Sequence, residues 1–214
     1  MTTFFVALVC LSAGFLLGRW RQGIEENRGE AAVRRLLTAS FPSPAHHLLN
    51  NITLNTEDGT TQVDHILVSR YGVFVIETKH YTGWIFSNPN APNWTQVRYK
   101  KHYKFQNPIH QNRKHVKSVV KLLDFLPVEN IHSIVVFTGD AIFKTERPTG
   151  VVHLAELRGH IEGFNADVIS ENRMQYCVGR LECRRMAPTR QTDIEHVAHL
   201  RRKFGEPLEG HTKR

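Results

Sequence analysis

The chain has 214 residues, 41% of them hydrophobic and 22% charged, which is enough to bury one sizeable core with a small appendage. The 28 Lys and Arg residues outnumber the 20 Asp and Glu residues, and the resulting formal charge of +8 favours polyanionic partners such as nucleic acid or an anionic lipid surface. The three cysteines match neither a zinc knuckle nor a redox CxxC motif, and their odd number argues against an oxidised secreted fold.

An uncharged apolar segment covers residues 2–18, and Arg19, Trp20 and Arg21 follow it directly. Its length is near the lower limit for a bilayer-spanning helix, and Trp20 suits the membrane interface. A single-pass membrane anchor over residues 2–20 is therefore favoured, with the remainder in the cytoplasm by the positive-inside rule. A cleaved signal peptide fits less well, because the basic residues follow the apolar run instead of preceding it. A buried helix of a soluble fold is a further alternative.

The next segment, residues 24–39, has the composition and periodicity of a helix. Glu30, Val33 and Leu37 fall at i, i+3 and i+7, so a carboxylate lies on the apolar stripe and needs a partner there. The Phe-Pro-Ser-Pro sequence of residues 41–44 then ends the helix and opens a connection.

An alternating stretch follows, and it predicts three consecutive antiparallel strands. These strands lie near residues 51–56, 61–69 and 73–79. Asp58-Gly59 suits the first hairpin turn, and Arg70-Tyr71 lies in the second. If Arg70 and Tyr71 form a two-residue turn, Asp64 lies directly opposite Glu77, although a bulge would change this pairing.

The second half of the chain predicts strands at residues 131–138 and 151–154 and helices at residues 110–125, 155–163, 167–178 and 190–203. The near-continuous apolar character of the 131–138 segment is typical of a strand covered on both faces. The helix at 110–125 is amphipathic, and Arg113, Lys114, Lys117 and Lys121 gather away from its apolar stripe.

The second hairpin carries the residues best suited to chemistry. Side chains on a strand alternate faces, so Gln62 shares a face with Asp64, and Glu77 shares one with Lys79. Opposed residues have Cβ atoms about 4.5–5.5 Å apart, so Asp64 and Glu77 are near enough to share one divalent cation, without which they would repel each other. Lys79 can orient or deprotonate an attacking water, or stabilise charge that grows on a phosphate. Mg²⁺ suits such an oxygen site, and the parts together suggest metal-assisted phosphodiester hydrolysis.

Four short motifs occur along the chain in a recognisable order. They are Gly29-Glu30, Gln62-Val63-Asp64, Ile76-Glu77-Thr78-Lys79 and Gln106-Asn107-Pro108-Ile109-His110-Gln111. In this order they resemble the nuclease-related domain (NERD) family, within the PD-(D/E)xK superfamily, over roughly residues 26–140. One departure is Val63, which stands where the superfamily has the Pro that gives it its name.

The resemblance implies an α/β (α+β) restriction-endonuclease-like core, in which a central mixed sheet is flanked by helices, and nuclease action on DNA more than on RNA. It also implies that Asp64 and Glu77 bind Mg²⁺ or Mn²⁺ and that Lys79 is the catalytic cation. The remaining site residues that it implies are Glu30, reaching in from its helix, and Gln62 and Gln111, positioning water or phosphate. The expected organisation is an anchor at 2–20, a nuclease domain at 24–165 and a helical extension at 166–214.

Basic residues predict where nucleic acid would lie. Between Trp94 and Phe105 cations alternate with aromatic residues, a pattern that suits phosphate contacts and base stacking. The predicted contacts are Arg98, Lys100, Lys101, Lys104, Arg113, Lys114 and Lys117. An edge strand whose lysines prevent aggregation explains the first group equally well, and contact with anionic lipid is open for the helix.

The site residues also have plainer interpretations. Asp64 and Glu77 could lie on a solvated sheet face, Glu30 could pair with Arg34 one helical turn away, and Gln111 could cap its helix. The leading functional hypothesis is a membrane-anchored, metal-dependent nuclease. A non-catalytic module that binds nucleic acid or protein at the membrane is the main alternative, and a lipid-surface scaffold is a further one.

Overall fold

The structure, a computed structural model, describes residues 28–57 and 59–187. The helices within these residues are α1 (28–40), α2 (Pro108–Leu122), α3 (Leu154–Glu162) and α4 (Glu171–Arg184), with a short 3-10 turn at Val128–Asn130. The strands are β1 (His46–Thr56), β2 (Gly59–Ser69), β3 (Gly72–Lys79), β4 (Gly83–Phe86), β5 (Asn93–Arg98), β6 (Lys101–Gln106), β7 (Ile131–Phe137), β8 (Ala141–Phe143) and β9 (Val151–His153).

The larger of two sheets has five strands in the order β1-β2-β3-β7-β9. Consecutive hairpins make β1, β2 and β3 antiparallel, whereas β7 runs parallel to β3 and β9 runs parallel to β7. The apolar strand predicted near 131–138 is β7, which lies inside the sheet between β3 and β9. The chain thus has a mixed α/β architecture with sheets flanked by helices, as the sequence predicts.

Helices cover both faces of this sheet. Alternation along β3 sends Val75 into a core that also contains Val119 of α2 and Met174 of α4. The neighbouring Phe74 points the other way, into a core with Val33 of α1 and residues of α3. Burying both faces of β3 removes its side chains from water except near its carboxyl end, where the polar residues begin.

The smaller sheet has four strands in the order β6-β5-β4-β8. Its inner face carries Ile85 and Trp94, which share a buried cluster with Phe137 of β7, and the Trp94 and Phe137 rings stack with centroids 6.3 Å apart. Phe137 is also the register partner of Lys79. The small sheet therefore packs beside the end of β3 that carries Lys79.

Two buried asparagines fix the position of α2. The Asn107 side chain caps the helix by accepting the Ile109 amide at 3.0 Å. Asn112 Nδ2 donates to the Val75 carbonyl at 3.0 Å and to the Ile134 carbonyl at 3.1 Å, so it joins α2 to both β3 and β7. These contacts hold the residues at the start of α2 over the carboxyl half of β3.

The second hairpin has the predicted register: its pairs run from Ser69↔Gly72 to His65↔Ile76. The first turn differs slightly from the prediction, because Gly59 already belongs to β2, where it pairs with Thr56 of β1. The stretch from Trp94 to Phe105 is a β5–β6 hairpin rather than one strand. Its turn residues Tyr99 and Lys100 both have positive φ, 50° and 62°.

The predicted anchor at residues 2–20 and the predicted helix at 190–203 lie outside the described residues. Over residues 28–57 and 59–187, no helix is both long and apolar enough to cross a membrane. The helix α4, which belongs to the predicted C-terminal extension, contributes Met174, Cys177 and Leu181 to the same core as β2 and β3.

Replacing Asn112 with Ala is expected to lower the free energy of unfolding by about 1–3 kcal/mol, because the buried Val75 and Ile134 carbonyl groups each lose a donor. Urea denaturation followed by circular dichroism measures the change. Arg113→Ala, on the exposed side of α2, is the matched control and should shift stability by less than about 0.5 kcal/mol. An unchanged urea midpoint for Asn112→Ala would contradict the role assigned to this side chain.

Candidate active site

The site begins where the backbone ladder between β2 and β3 ends, at His65↔Ile76. Beyond that pair, the Thr78 amide donates to Asp64 Oδ2 at 2.7 Å, so a side chain takes the place of a backbone acceptor. This bond ties Asp64 to the strand that carries Glu77. The two carboxyl groups are therefore held on adjacent strands of one hairpin.

A kink in β1 and β2 accompanies this change. Val63 and Ile66 belong to the same core cluster although they are three residues apart, so strict alternation fails between them. Asn51 on β1, which faces the same point of β2, has a φ of +50°. A non-glycine residue seldom adopts this left-handed conformation, and here it turns the outer half of the β1–β2 hairpin relative to the inner half.

Glu77 is buried, with 2% of its surface exposed, and both of its oxygens have partners. Oε1 accepts from Lys79 Nζ at 2.6 Å, and Oε2 lies 3.1 Å from His115 Nε2 on α2. Burial by itself raises the pKa of Glu77, but Lys79 and His115 more than offset this and hold the pKa below its usual value. Glu77 is therefore ionised at neutral pH.

Lys79 bridges Glu77 and α2. Its ammonium donates to Gln111 Oε1 at 3.1 Å as well as to Glu77. Burial by itself lowers the pKa of Lys79, but the adjoining Glu77 carboxylate outweighs burial and raises the pKa above its usual value. The amine is consequently protonated throughout the physiological pH range.

Asp64 behaves differently from its neighbour. Burial, the Glu77 charge and then the Glu30 charge raise the pKa of Asp64 well above its usual value. The Thr78 amide and the Lys79 ammonium oppose this shift without cancelling it. Two adjacent carboxyl groups thus have pKa values shifted in opposite directions, a situation that is frequent at functional sites.

Glu30 approaches the site from α1, since its charge acts on Asp64. It also lines a surface cleft between α1 and the first hairpin, together with Asn51 and His65. His65 is buried and its Nδ1 lies 2.7 Å from Asn50 Oδ1. Burial lowers the pKa of His65 to about 4, so the imidazole is neutral at physiological pH.

Of the six predicted catalytic residues, Glu77, Lys79 and Gln111 are joined by direct hydrogen bonds. Asp64 is held beside them through the Thr78 amide. Gln62 is half-buried and alternates with Thr61. Because the Thr61 hydroxyl lies against α2, alternation places Gln62 on the other face of β2.

His115 is a site residue that the sequence reasoning missed. Its Nε2 lies 3.1 Å from Glu77 Oε2, and its Nδ1 lies 2.7 Å from Thr61 Oγ1. The histidine therefore connects Glu77 to the kinked part of β2. One signal was present in the sequence: His115 follows Gln111 by four residues, so both lie on the same face of an α-helix.

A divalent cation fits the donors that are present. Carboxylate oxygens are the ligands that Mg²⁺ and Mn²⁺ prefer, and a cation beside Asp64 would relieve the repulsion that raises its pKa. Among the residues that the structure describes, no three His, Cys, Asp or Glu side chains converge as a metal-binding group. A cation bound by Asp64 and Glu77 would accordingly complete its coordination with water or substrate oxygens. Mg²⁺ in proteins usually keeps several water ligands in this way.

The predicted DNA-contacting cations lie on two neighbouring segments of the chain. Arg98, Lys100, Lys101 and Lys104 are exposed on the β5–β6 hairpin. Arg113, Lys114 and Lys117 are exposed on α2, which follows that hairpin after one residue. The same helix presents Gln111 and His115 to the site. Helix α2 thus carries the side chains that bind Lys79 and Glu77 on its inner side and basic residues on its outer side.

Comparison with known proteins assigns the chain that carries the β2–β3 hairpin to a family. The profile of the nuclease-related domain family matches residues 25–138, more than half of the chain, and the chain belongs to this family, within the PD-(D/E)xK superfamily. An uncharacterized protein of Bacillus anthracis is 33% identical over 184 residues, which span 83% of this chain and 84% of that protein. No solved structure gives a significant match.

Asp64→Asn is expected to stabilise the metal-free protein at neutral pH. The folded-state pKa of Asp64 lies above its unfolded value, so the fold is favoured below the unfolded pKa and loses that advantage as pH rises through the folded pKa. The Asn side chain keeps an oxygen for the Thr78 amide but carries no charge. Urea midpoints measured in EDTA should be higher for the variant at pH 7.5.

The advantage of Asp64→Asn should shrink as pH falls and vanish below about pH 4, where the wild-type carboxyl is protonated in both states. Asp167→Asn is the matched control, because Asp167 is an exposed carboxylate paired with Arg70 on the surface. If Asp64→Asn were less stable than wild type at every pH, the pair of carboxyl groups would not be repulsive.

Proposed function

We propose that this chain is a divalent-metal-dependent nuclease that hydrolyses DNA phosphodiester bonds. Membership of the nuclease-related domain family supports the proposal. The observation that carries it is the Lys79 ammonium, 2.6 Å from Glu77 Oε1 and on the same hairpin as Asp64. An ionised carboxylate, a second carboxyl group that gains from a cation, and a fixed positive charge are the groups that phosphate hydrolysis uses.

Asp64 and Glu77 are the residues that would hold the cation, which when bound supplies Lewis acidity and a lowered pKa for bound water. As a protonated ammonium, Lys79 stabilises negative charge on the phosphate oxygens and orients the attacking water, in keeping with the pKa that Glu77 raises. Gln111 accepts a hydrogen bond from Lys79 and so fixes the direction of the ammonium. His115 holds the Glu77 carboxylate from the opposite side.

A restriction-endonuclease-like core is also part of the proposal. It is supported by the sheet order β1-β2-β3-β7, in which an antiparallel meander is joined by a parallel strand. It is further supported by α1 and α2, which lie on opposite faces and each bring a predicted site residue toward the β2–β3 hairpin. In such a core the carboxylates sit on rigid strands, which suits a site that needs fixed geometry.

DNA is the proposed substrate because the family is nuclease-related and the chain carries an excess of basic residues. The exposed cations of the β5–β6 hairpin and of α2 are proposed to contact phosphates. Membrane attachment through an anchor at residues 2–20, whose residues 2–18 are uncharged, is part of the proposal, with the domain on the cytoplasmic side. Such an enzyme would act on DNA that comes within reach of the membrane.

The test is a cleavage assay on the full-length chain purified in detergent, with plasmid DNA in Mg²⁺, in Mn²⁺ and in EDTA. Cleavage is expected with either metal and is expected to stop in EDTA. Asp64→Ala, Glu77→Ala and Lys79→Ala should each lower the rate by at least about 100-fold, because each removes charge stabilisation from the transition state.

Arg173→Ala and Glu162→Ala are the matched controls for charge, because both residues are exposed on the surface, Arg173 on α4 and Glu162 on α3. They should leave the rate within about twofold of wild type. Metal binding gives a second readout: Mg²⁺ should raise the unfolding temperature of wild type and of Arg173→Ala but not of Asp64→Ala. Equal cleavage by wild type and the three site variants would refute the enzymatic proposal.

A non-catalytic binding module is the second candidate, and one observation favours it. Both Glu77 oxygens are occupied by protein donors, Lys79 and His115, so the carboxylate is already satisfied inside the protein. Such a module would bind DNA with strong salt dependence and would not cut it in any metal. The same cleavage series, read beside DNA binding measured at several salt concentrations, separates the two candidates.

A further inference from the structure

The outer face of the small sheet carries large apolar side chains. Trp84 and Phe86 on β4 are 48% and 39% exposed, and Ile142 on β8 is 54% exposed. Between the two aromatic residues, Ile85 points inward and is fully buried. Tryptophan and phenylalanine are usually largely buried. Two of them at alternate outward positions of one strand therefore indicate a binding surface.

Strand register joins these side chains into one surface. Trp84 is opposite Val97 of β5 and opposite Ile142 of β8. Phe86 is opposite Thr95 of β5. Because paired residues share a face of the sheet, these five side chains form a continuous outer face. The surface is called here the β4 platform.

Basic side chains frame the β4 platform. Lys104 of β6 is opposite Thr95, and His102 is opposite Val97, so both lie on the same outer face. Beyond β8, the ammonium of Lys144 lies 4.6 Å from the centre of the Trp84 ring. The rings are therefore bordered by cations on both sides, an arrangement that complements a ligand with flat apolar groups along an anionic backbone.

We propose that the β4 platform binds single-stranded DNA by stacking bases on Trp84 and Phe86. Residues two apart on a strand are separated by about 6.6–6.8 Å. Bases in a duplex lie about 3.4 Å apart and have their faces covered by neighbours, so they cannot occupy both rings. An unpaired strand can open its bases to this spacing, with Lys104 and Lys144 meeting its phosphates.

The Lys144 contact agrees with this assignment. An exposed ammonium over an aromatic ring contributes only a modest attraction, and its long side chain is flexible. When a base covers the ring, the ammonium can move to the adjacent phosphate. The cation thus occupies the ring face in the free protein and stays close to the backbone of the strand when DNA is bound.

A lipid surface or a protein partner accounts for the platform less well. Lipid insertion requires apolar side chains that protrude beyond the surrounding polar atoms, whereas these rings lie on a sheet interrupted by Thr95 and framed by cations. A protein interface core is depleted in lysine, yet the Lys144 ammonium lies over the Trp84 ring itself. Flat stacking surfaces with interspersed cations are the pattern of single-strand binding.

This inference deepens the proposed function, because it names an unpaired strand as the form of DNA that reaches the nuclease site. Only residues 80–82 separate β3, which ends at Lys79, from β4, which begins at Gly83. The inner side of the small sheet packs beside Phe137, the register partner of Lys79. The strand that carries the platform aromatics thus directly follows, along the chain, the strand that carries Glu77 and Lys79.

The experiment measures binding of the full-length chain in detergent, by fluorescence anisotropy of a labelled oligo-dT and of a labelled duplex. All titrations contain EDTA, so that metal-dependent cleavage plays no part. Trp84→Ala and Phe86→Ala should each weaken oligo-dT binding by about tenfold and change duplex binding by less than about twofold. Lys144→Gln should reduce the salt dependence of oligo-dT binding by roughly 0.7 in the log–log slope.

Tyr176→Ala is the matched control, since Tyr176 is an aromatic residue exposed to a similar extent on α4. It should bind oligo-dT as wild type does. Circular dichroism melts check that Trp84→Ala and Phe86→Ala remain folded, as expected for exposed side chains. The proposal is overturned if both variants keep wild-type affinity for oligo-dT, if oligo-U binds more tightly, or if the loss appears with anionic vesicles instead of DNA.

The binding result and the cleavage result can fail separately. If Trp84→Ala loses oligo-dT binding in EDTA while Lys79→Ala cuts DNA as wild type does, the platform stands and the nuclease assignment falls. If Lys79→Ala abolishes cleavage while Trp84→Ala binds oligo-dT normally, the nuclease assignment stands and the platform falls.

Discussion

The hydrogen bond from the Thr78 amide to the Asp64 carboxylate is the contact on which the rest of the site depends. As far as His65 and Ile76, the two strands are joined by their backbones; just beyond, a side chain becomes the acceptor. The exchange keeps the strands together and at the same time holds Asp64 beside Glu77. Because the Thr78 amide cannot move independently of β3, the carboxylate acquires the rigidity of the sheet.

This placement is unfavourable for Asp64 by itself, since burial and two neighbouring carboxylates oppose its ionisation. Lys79 and His115 stabilise the ionised form of Glu77, so only Asp64 has an ionised form that the protein disfavours. If Asp64 and Glu77 served only to stabilise the fold, their opposite pKa shifts would bring no benefit. Apolar residues of similar size would fill the same volume with a smaller loss of stability. A site that binds a cation does gain, since the ion stabilises the group that the protein leaves destabilised.

The sequence predicts the second hairpin well because a two-residue turn at Arg70-Tyr71 leaves a single register. It predicts the outer half of the first hairpin less well. Alternation fails there because Asn51 adopts a positive φ, a backbone choice that no pattern of apolar residues encodes. The link from Glu77 to His115 was accessible in principle, through the helical spacing after Gln111, but only once the helix was known to lie over this strand.

The same limit applies to the β4 platform. Read along the chain, the segment from Trp94 to Phe105 looks like a mixture of cations and aromatic residues that could all face DNA. In the hairpin these residues lie on two different faces of the sheet. Trp94 and Phe105 lie on the inner face, whereas Lys104 lies on the outer face. The outward aromatic residues come instead from Trp84 and Phe86, in a short strand whose apolar sequence suggests a buried position. A surface assembled by register from separate segments becomes visible only when the pairing of the strands is known.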